Sequence, residues 1–449
     1  MINTLYLPEL REMLAEQNVN ELQEFCEALH PARTAEFMEG LSAHETWQVL
    51  LHAEPFTRVE IFRYLEEEKQ IEIISDEDRE EIARLLAELA PDDRVDILAE
   101  VDSEIVDDLL PRLPAEERRD ILRLSQFPEG TAGAVMTTEV AKLEENLSVK
   151  QALEEIGKQA EGLETIYYIY VVDDDDHLRG LVSARQLVTG MRNPDTRLAD
   201  LMETELVTAS LMEDQEEVAN KVARLDLLAI PVVDDEHTMV GIITHDDVID
   251  VMREEATEDA HRIAAVDPLD DSYLKTHLVT LCWKRSIWLM ILFAFALFTA
   301  FALEWYDTQL EQWKWLVLFI PLIISSGGNS GSQSATLIIT ALSLNQITVG
   351  DWAKVVWREV VLGLMLGGIL ALLGFVAALP FSPTAVDALV LPITVLLVVM
   401  AGTLTGSVLP LVFKRLGLDP AMMSNPFVAG IIDVVGIIIY MNVALLLLA

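Results

Sequence analysis

Cysteine is almost missing from this chain: Cys26 and Cys282 are the only two among 449 residues. Two distant thiols exclude a disulfide framework and a cysteine-built zinc site, which need several at characteristic spacings. Positive charge is also scarce. Thirty-one Lys and Arg stand against 74 Asp and Glu, a net charge of −43, which disfavours binding to nucleic-acid phosphates. Catalytic signatures are lacking as well. No P-loop, no His-Glu-x-x-His and no Gly-x-Ser-x-Gly occurs, so an enzyme is not expected. The opening MINTLYLPELREML has neither a basic start nor an apolar core; no cleavable signal peptide is expected.

Long apolar runs are present, and the net charge is confined to one part of the chain. Residues 272–449 carry 8 acidic and 8 basic residues, so the whole −43 belongs to 1–271, with 66 acidic against 23 basic. A membrane-spanning helix needs about 20 mostly apolar residues. Five stretches qualify: 285–303, 315–342, 355–379, 388–413 and 425–448. Loop cations set the orientation. Lys275, Lys284 and Arg285 precede the first span, Lys354 and Arg358 separate the second from the third, and Lys414 and Arg415 follow the fourth. The opposite loops carry Glu304, Asp307, Glu311 and Lys314, or Asp387 alone. The basic side is therefore expected to be cytoplasmic, together with the acidic half, and five spans place the C-terminus outside. An acidic soluble half joined to a membrane half suggests cation sensing on one side and cation movement through the other.

The acidic half holds two repeats. In the first 130 residues LSAHETWQVL, LEEEKQIEII, LAPDDRVDIL and LPAEERRDIL begin at Leu41, Leu65, Leu89 and Leu113, a period of 24. Apolar spacings of three and four predict helix pairs stacked into a solenoid. The second repeat covers about 131–255 with a shift of 61. YVVDDDDHLRGLVS (170–183) matches PVVDDEHTMVGIIT (231–244), aligning Gly180 with Gly241 and Ser183 with Thr244. Each copy reads as helix, strand, acidic turn, strand and helix, which resembles the paired CBS domains. Their nucleotide signature is complete only in Gly241-Ile242-Ile243-Thr244-His245-Asp246-Asp247; Gln186 replaces the aspartate in the first copy. A possible adenine nucleotide at Thr244 and Asp247 competes with a ligand-free dimerising module. Beyond the pair, Glu254, Glu255, Glu258 and Asp259 crowd a connecting helix as repelling neighbours.

Asp433 stands within NPFVAGIIDVVGIIIYMNV, and that span contains no Lys or Arg. A charge at the bilayer centre costs on the order of 3 kcal/mol, so Asp433 is expected to face a bundle interior or a water path. It is a cation site, or else a protonated carboxyl bonded to a neighbouring helix. The second span, IPLIISSGGNSGSQSATLIIT, is expected to be broken at Pro321, Gly327, Gly328 and Gly331, exposing carbonyls to an ion. The same glycine spacing also suits helix packing. Mg2+ sheds water reluctantly and takes one or two carboxylates. One carboxylate per subunit among amide and carbonyl oxygens suits it.

Domain order and two segments, Pro321…Gly327-Gly328-Asn329-Ser330-Gly331-Ser332-Gln333 and Asn425-Pro426…Asp433-Val434-Val435-Gly436, resemble the MgtE family of magnesium channels. The resemblance implies an N-terminal α-helical superhelical repeat domain (1–130) and an α/β tandem CBS pair (131–252). A long connecting helix (253–283) and a five-helix all-α transmembrane domain (284–449) follow. It implies a homodimer in the lipid bilayer of the cell membrane, with Asp433 from each protomer at the ion site and Asn329 and Asn425 near it. Regulatory Mg2+ carries over to Glu60, Asp92 and Asp96, to Asp214, Glu216, Asp226, Asp247 and Asp250, and to Glu255, Glu258 and Asp259. For any one of these carboxylates a solvated acidic surface is the rival reading. A cation-coupled exchanger and a non-transporting nucleotide sensor are the rival functions.

Overall fold

The computed structural model describes residues 6–269, 273–274, 276–422 and 425–448. Lys275, used above for orientation, lies outside them. The chain divides into two compact units, Met1–Met252 and Arg253–Ala449.

The first unit opens with α1 (Leu7–Glu16), α2 (Val19–Ala28), α3 (Pro31–Met38), α4 (Ala43–Leu50), α5 (Pro55–Arg63), α6 (Glu67–Asp76), α7 (Arg79–Glu88), α8 (Pro91–Ala99), α9 (Ser103–Leu109) and α10 (Ala115–Leu124). Each helix starts 12 residues after the one before. The 24-residue period read from the sequence is therefore one helix pair. Proline opens α3, α5 and α8 at the position where a missing N–H does least harm. Ser42 and Glu45 form a reciprocal capping box on α4. The repeat leucines Leu41, Leu65, Leu89 and Leu113 are all buried in one continuous core.

A second device recurs at the fourth residue of three helices. Arg58 donates to the carbonyls of Leu50, Leu51 and Ala53. Gln70 reaches Phe62, Arg63 and Leu65, and Arg94 reaches Leu86, Ala87 and Leu89. Each side chain thus closes the unsatisfied end of the preceding helix.

The rest of the unit comprises α11 (Ala132–Val135), β1 (Val140–Glu144), α12 (Val149–Gln159), β2 (Thr165–Val172), β3 (Leu178–Ser183) and α13 (Ala184–Gly190). The second copy follows as α14 (Leu198–Leu201), β4 (Ala209–Ser210), α15 (Gln215–Leu225), β5 (Ala229–Val233), β6 (Met239–Thr244) and α16 (His245–Ile263). The two sheets run β1-β2-β3 and β4-β5-β6, each with a parallel and an antiparallel pairing. The 61-residue shift persists in the backbone. Val171 pairs with Gly180 as Val232 pairs with Gly241. Asp176 and His237 both take a positive φ, at 61° and 67°. Asp173 accepts from the amides of Asp175 and His177, and Asp234 from those of Glu236 and Thr238. Glycine is required at Gly241, where a Cβ would lie 2.5 Å from the Thr137 carbonyl.

The connecting helix differs from the expected 253–283. It is α16, which starts at His245 and ends at Ile263. Ala265 turns left-handed at φ 59°, and Val266 N–H donates back to His261, a helix stop, with Pro268 following.

The second unit contains α17 (Leu278–Trp305), α18 (Asp307–Gln312), α19 (Ile320–Ser343), α20 (Trp352–Ala378), α21 (Val390–Arg415) and α22 (Asn425–Leu448). Among the described residues, α17, α20, α21 and α22 are long and apolar enough to cross a membrane. The 24 residues of α19 rise about 36 Å, long enough to span, but its Ser, Asn and Gln make it more polar. The buried face of α21 forms the centre, in contact with α19, α20 and α22.

The expected break in the second span does not occur: α19 is a continuous helix through all three glycines. A Cβ on Gly406 would lie 2.1 Å from the Gly331 carbonyl, and one on Gly402 2.5 Å from the Gly327 carbonyl. These glycines bring two helix backbones together, and the packing outweighs their poor helix propensity.

Candidate functional site

Asp433 is half-buried on α22. Across from it, a Cβ built on Gly328 of α19 would stand 3.7 Å from Asp433 Oδ1. Among the described residues no hydrogen bond or salt bridge engages its carboxylate. Ser325, Asn329 and Gln333 recur every four residues on an exposed face of α19, and Asn329 donates to Ser325 Oγ at 3.2 Å. Asn425 opens α22 and is committed to structure. It exchanges side-chain hydrogen bonds with Thr336 at 3.0 and 3.1 Å, and its carbonyl accepts from Ser332 Oγ at 3.1 Å.

Five of the sequence-derived regulatory residues gather where the solenoid meets the second CBS copy. A cleft of about 710 Å3 is lined by Glu60, Asp96 and Asp250, together with Arg63, Asp93 and Asp246. Asp92, 8% exposed, adjoins it, and its buried Oδ1 has no hydrogen-bond partner among the described residues. Burial, reinforced by Asp247, Asp93 and Glu164, holds the Asp92 carboxyl well above the usual range. Burial likewise lifts Asp247 to about 6 and Glu164 to about 7. Arg63 is the local cation: its Nε lies 2.7 Å from Asp93 Oδ2, and its guanidinium 3.9 Å from Glu60. Arg63, Asp93, Glu164 and Asp246 join the group without belonging to any of the sequence-derived candidates. Only the doublets Asp92-Asp93 and Asp246-Asp247 offered a signal.

The remaining candidates are dispersed. Asp214 caps α15 by accepting from the amides of Glu216 and Glu217, while Asp226 ends the same helix at φ 51°. The 11 residues of that helix, about 16 Å, separate them. On α16, Glu258 pairs with Arg262, which also pairs with Asp419. Asp259 accepts from Ser343 Oγ of α19 at 2.9 Å. Glu255 lies about one turn earlier on the same helix. No three His, Cys, Asp or Glu among the described residues form a ready metal cage. Asp419 was also missed, although it is an isolated acid in the loop between the last two apolar runs.

At the nucleotide signature, Thr244 Oγ1 lies 2.6 Å from carboxylate oxygens of both Asp246 and Asp247, and its amide donates to Asp247. In the first copy Ser183 and Gln186 make the equivalent capping box. The shared role of this motif is thus to start a helix, whichever acceptor occupies the last position.

Three family models match this architecture in order. They are the MgtE intracellular N domain over 29–130, the CBS domain over 132–193 and 198–254, and MgtE, a divalent cation transporter, over 320–443. The chain is 40% identical over 325 residues to the magnesium transporter MgtE of Thermus thermophilus, 72% of each chain. Against the magnesium transporter MgtE of Enterococcus faecalis it is 33% identical, covering 97% of this chain and 95% of that one. The first unit resembles two solved structures at 34% identity. One is the soluble part of a magnesium transporter (TM-score 0.52; 56% of this chain, 97% of that one). The other is the cytosolic domain of the Mg2+ channel MgtE in complex with ATP (TM-score 0.51; 54% and 98%). Such identity along nearly the full length makes this multi-pass membrane protein a member of the MgtE family of divalent cation transporters.

Proposed function

We propose that the chain is a Mg2+-selective channel, importing Mg2+ as a homodimer in the cell membrane, with its N-terminus cytoplasmic and its C-terminus outside. The observation that carries the reading is Asp433. It is a carboxylate inside an apolar helix of 24 residues, without a cationic or hydrogen-bonding partner among the described residues, beside the backbone of α19. The names of the relatives support Mg2+ as the ion. The exposed Ser325, Asn329 and Gln333 support the dimer, because a polar face at membrane depth requires a partner other than lipid. Lys354, Arg358, Lys414 and Arg415 at the ends of α20 and α21 support the orientation.

Cytoplasmic Mg2+ is also proposed to close the channel. The crowded carboxylates of the cleft support this reading, and the buried Oδ1 of Asp92 has no hydrogen-bond partner among the described residues. Asp92, Asp247, Asp96 and Asp250 would hold the ion, which supplies two positive charges. Without that compensation the carboxylates repel, and the solenoid and the second CBS copy separate. With it, they dock. The change passes along α16, a single helix running from Asp247 to Asp259 and Arg262. Several weak sites give a steep response because each favours the same closed state. An adenine nucleotide at the CBS pair is a proposed second effector, supported by the ATP complex of the solved relative.

Recording purified protein in planar bilayers tests the proposal. Discrete unitary currents carried by Mg2+ are expected. Where no current flows, saturable Mg2+ uptake into proteoliposomes would instead establish a coupled exchanger, and no uptake at all a nucleotide sensor.

A further inference from the structure

Glu359 plays no part in the function proposed above, yet it is buried in the apolar bundle, 5% exposed, on α20. A carboxyl there is costly unless something engages it. Its Oε2 accepts a hydrogen bond from Ser334 Oγ of α19 at 2.6 Å, and both groups are buried. Its backbone carbonyl accepts a longer one, at 3.4 Å, from Thr403 Oγ1 of α21. One turn along α20, a Cβ on Gly363 would stand 2.7 Å from the same Thr403 hydroxyl. Glu359 therefore sits where three helices meet.

The helix it engages, α19, carries the exposed Asn329 and Gln333. The opposite face of α19 presents Gly327, Ser330, Gly331 and Ser334 to its neighbours, with Gly402 and Gly406 of α21 against the glycines. Val398 of α21 and Ile432 of α22 seat on Gly327, and Val428 on Gly331, so close packing and polar side chains act together along this face. A slip of one residue would turn the Asn329–Gln333 face by about 100°. Hydrogen bonds add direction to that packing and reinforce the register. Ser330 Oγ reaches the Val399 carbonyl at 3.4 Å and Ser332 Oγ the Asn425 carbonyl at 3.1 Å. The Ser334–Glu359 bond is shorter than either, and it fixes the middle of the helix from a third side.

We infer that Glu359 is a positioning residue for permeation: by holding Ser334, it keeps the polar face of α19 in register. The inference rests on the transport reading above, and one experiment separates the two. Uptake of Mg2+ and of Ca2+ is measured in proteoliposomes of the full-length chain and of Glu359→Gln, Glu359→Ala, Ser334→Ala and the double alanine variant. Glu359→Gln keeps an oxygen that accepts from Ser334, and near-native discrimination is expected. Each alanine variant should lose about tenfold in preference for Mg2+ over Ca2+, the factor a buried hydrogen bond is worth. The double variant should be no worse than either single one.

Native discrimination in the alanine variants, additive losses, or a Gln variant as impaired as Ala each overturns the role. If Glu359→Ala does not yield folded protein, Ser334→Ala, which removes a single hydroxyl, decides with the same outcomes. Native protein that moves no Mg2+ refutes the transport reading and this role with it. Native uptake with unchanged alanine variants refutes the role of Glu359 alone.

Discussion

Asp433 and Glu359 are both carboxylates on long helices of the second unit, yet their surroundings differ. Glu359 is held by a hydroxyl at 2.6 Å, whereas nothing among the described residues engages Asp433. The sequence reading found Asp433 because a lone charge stands out in an apolar run. It passed over Glu359, which lies near the polar end of its span beside Arg358. Arg63 was equally hard to see, since its partner Asp93 is 30 positions away and no local pattern joins them. Arg94 is another such residue, 2% exposed and bonded to three carbonyls that end α7. Replacing it with Met strands those carbonyls. Arg94→Met should destabilise the first unit by roughly 2–4 kcal/mol, read as a lower denaturation midpoint.

Among the elements, the helices of the solenoid were legible as a 24-residue period because burial of Leu41, Leu65, Leu89 and Leu113 imposes one. The finer 12-residue repeat was hidden. Successive helices share a start-to-start spacing but not a side-chain pattern, so only the backbone displays it. The second apolar run was misread for a physical reason. Glycine weakens an isolated helix, but in a bundle it permits backbone contact, and Gly331 lies against Gly406. Gly406→Ala drives a methyl into the Gly331 carbonyl, 2.1 Å away. Overpacking of this kind costs about 1–3 kcal/mol or more; a lower melting temperature of the detergent-solubilised chain is expected. Gly368→Ala serves as the control, because a Cβ there meets nothing within 4 Å.

At the scale of the whole molecule, the order of solenoid, CBS pair and membrane helices followed from composition and repeats. The grouping of acids in one cleft did not, because it depends on how α5, α8 and α16 pack. That cleft has a pH signature. Asp247 at about 6 and Glu164 at about 7 lie above ordinary carboxyl values, with burial the main cause. A carboxyl raised by folding stabilises the docked form fully below its unfolded value near 4 and loses that contribution as pH climbs through its folded value. In Mg2+-free buffer the solenoid should therefore resist proteolysis better at pH 5 than at pH 8, and added Mg2+ should narrow the difference. Gating by the cleft and by α16 predicts that Asp92→Asn, Asp247→Asn and Asp259→Asn together leave flux running at high internal Mg2+. Closure that persists in the triple variant would count against gating by these carboxylates.

The claim on which the account turns is that the carboxylate of Asp433 receives the permeating ion. Mg2+ uptake into proteoliposomes, native protein against Asp433→Asn at equal reconstitution, measures it directly. The account predicts uptake by the native chain and loss of nearly all of it once the charge is removed. Uptake by Asp433→Asn at the native rate and with native ion preference would contradict it.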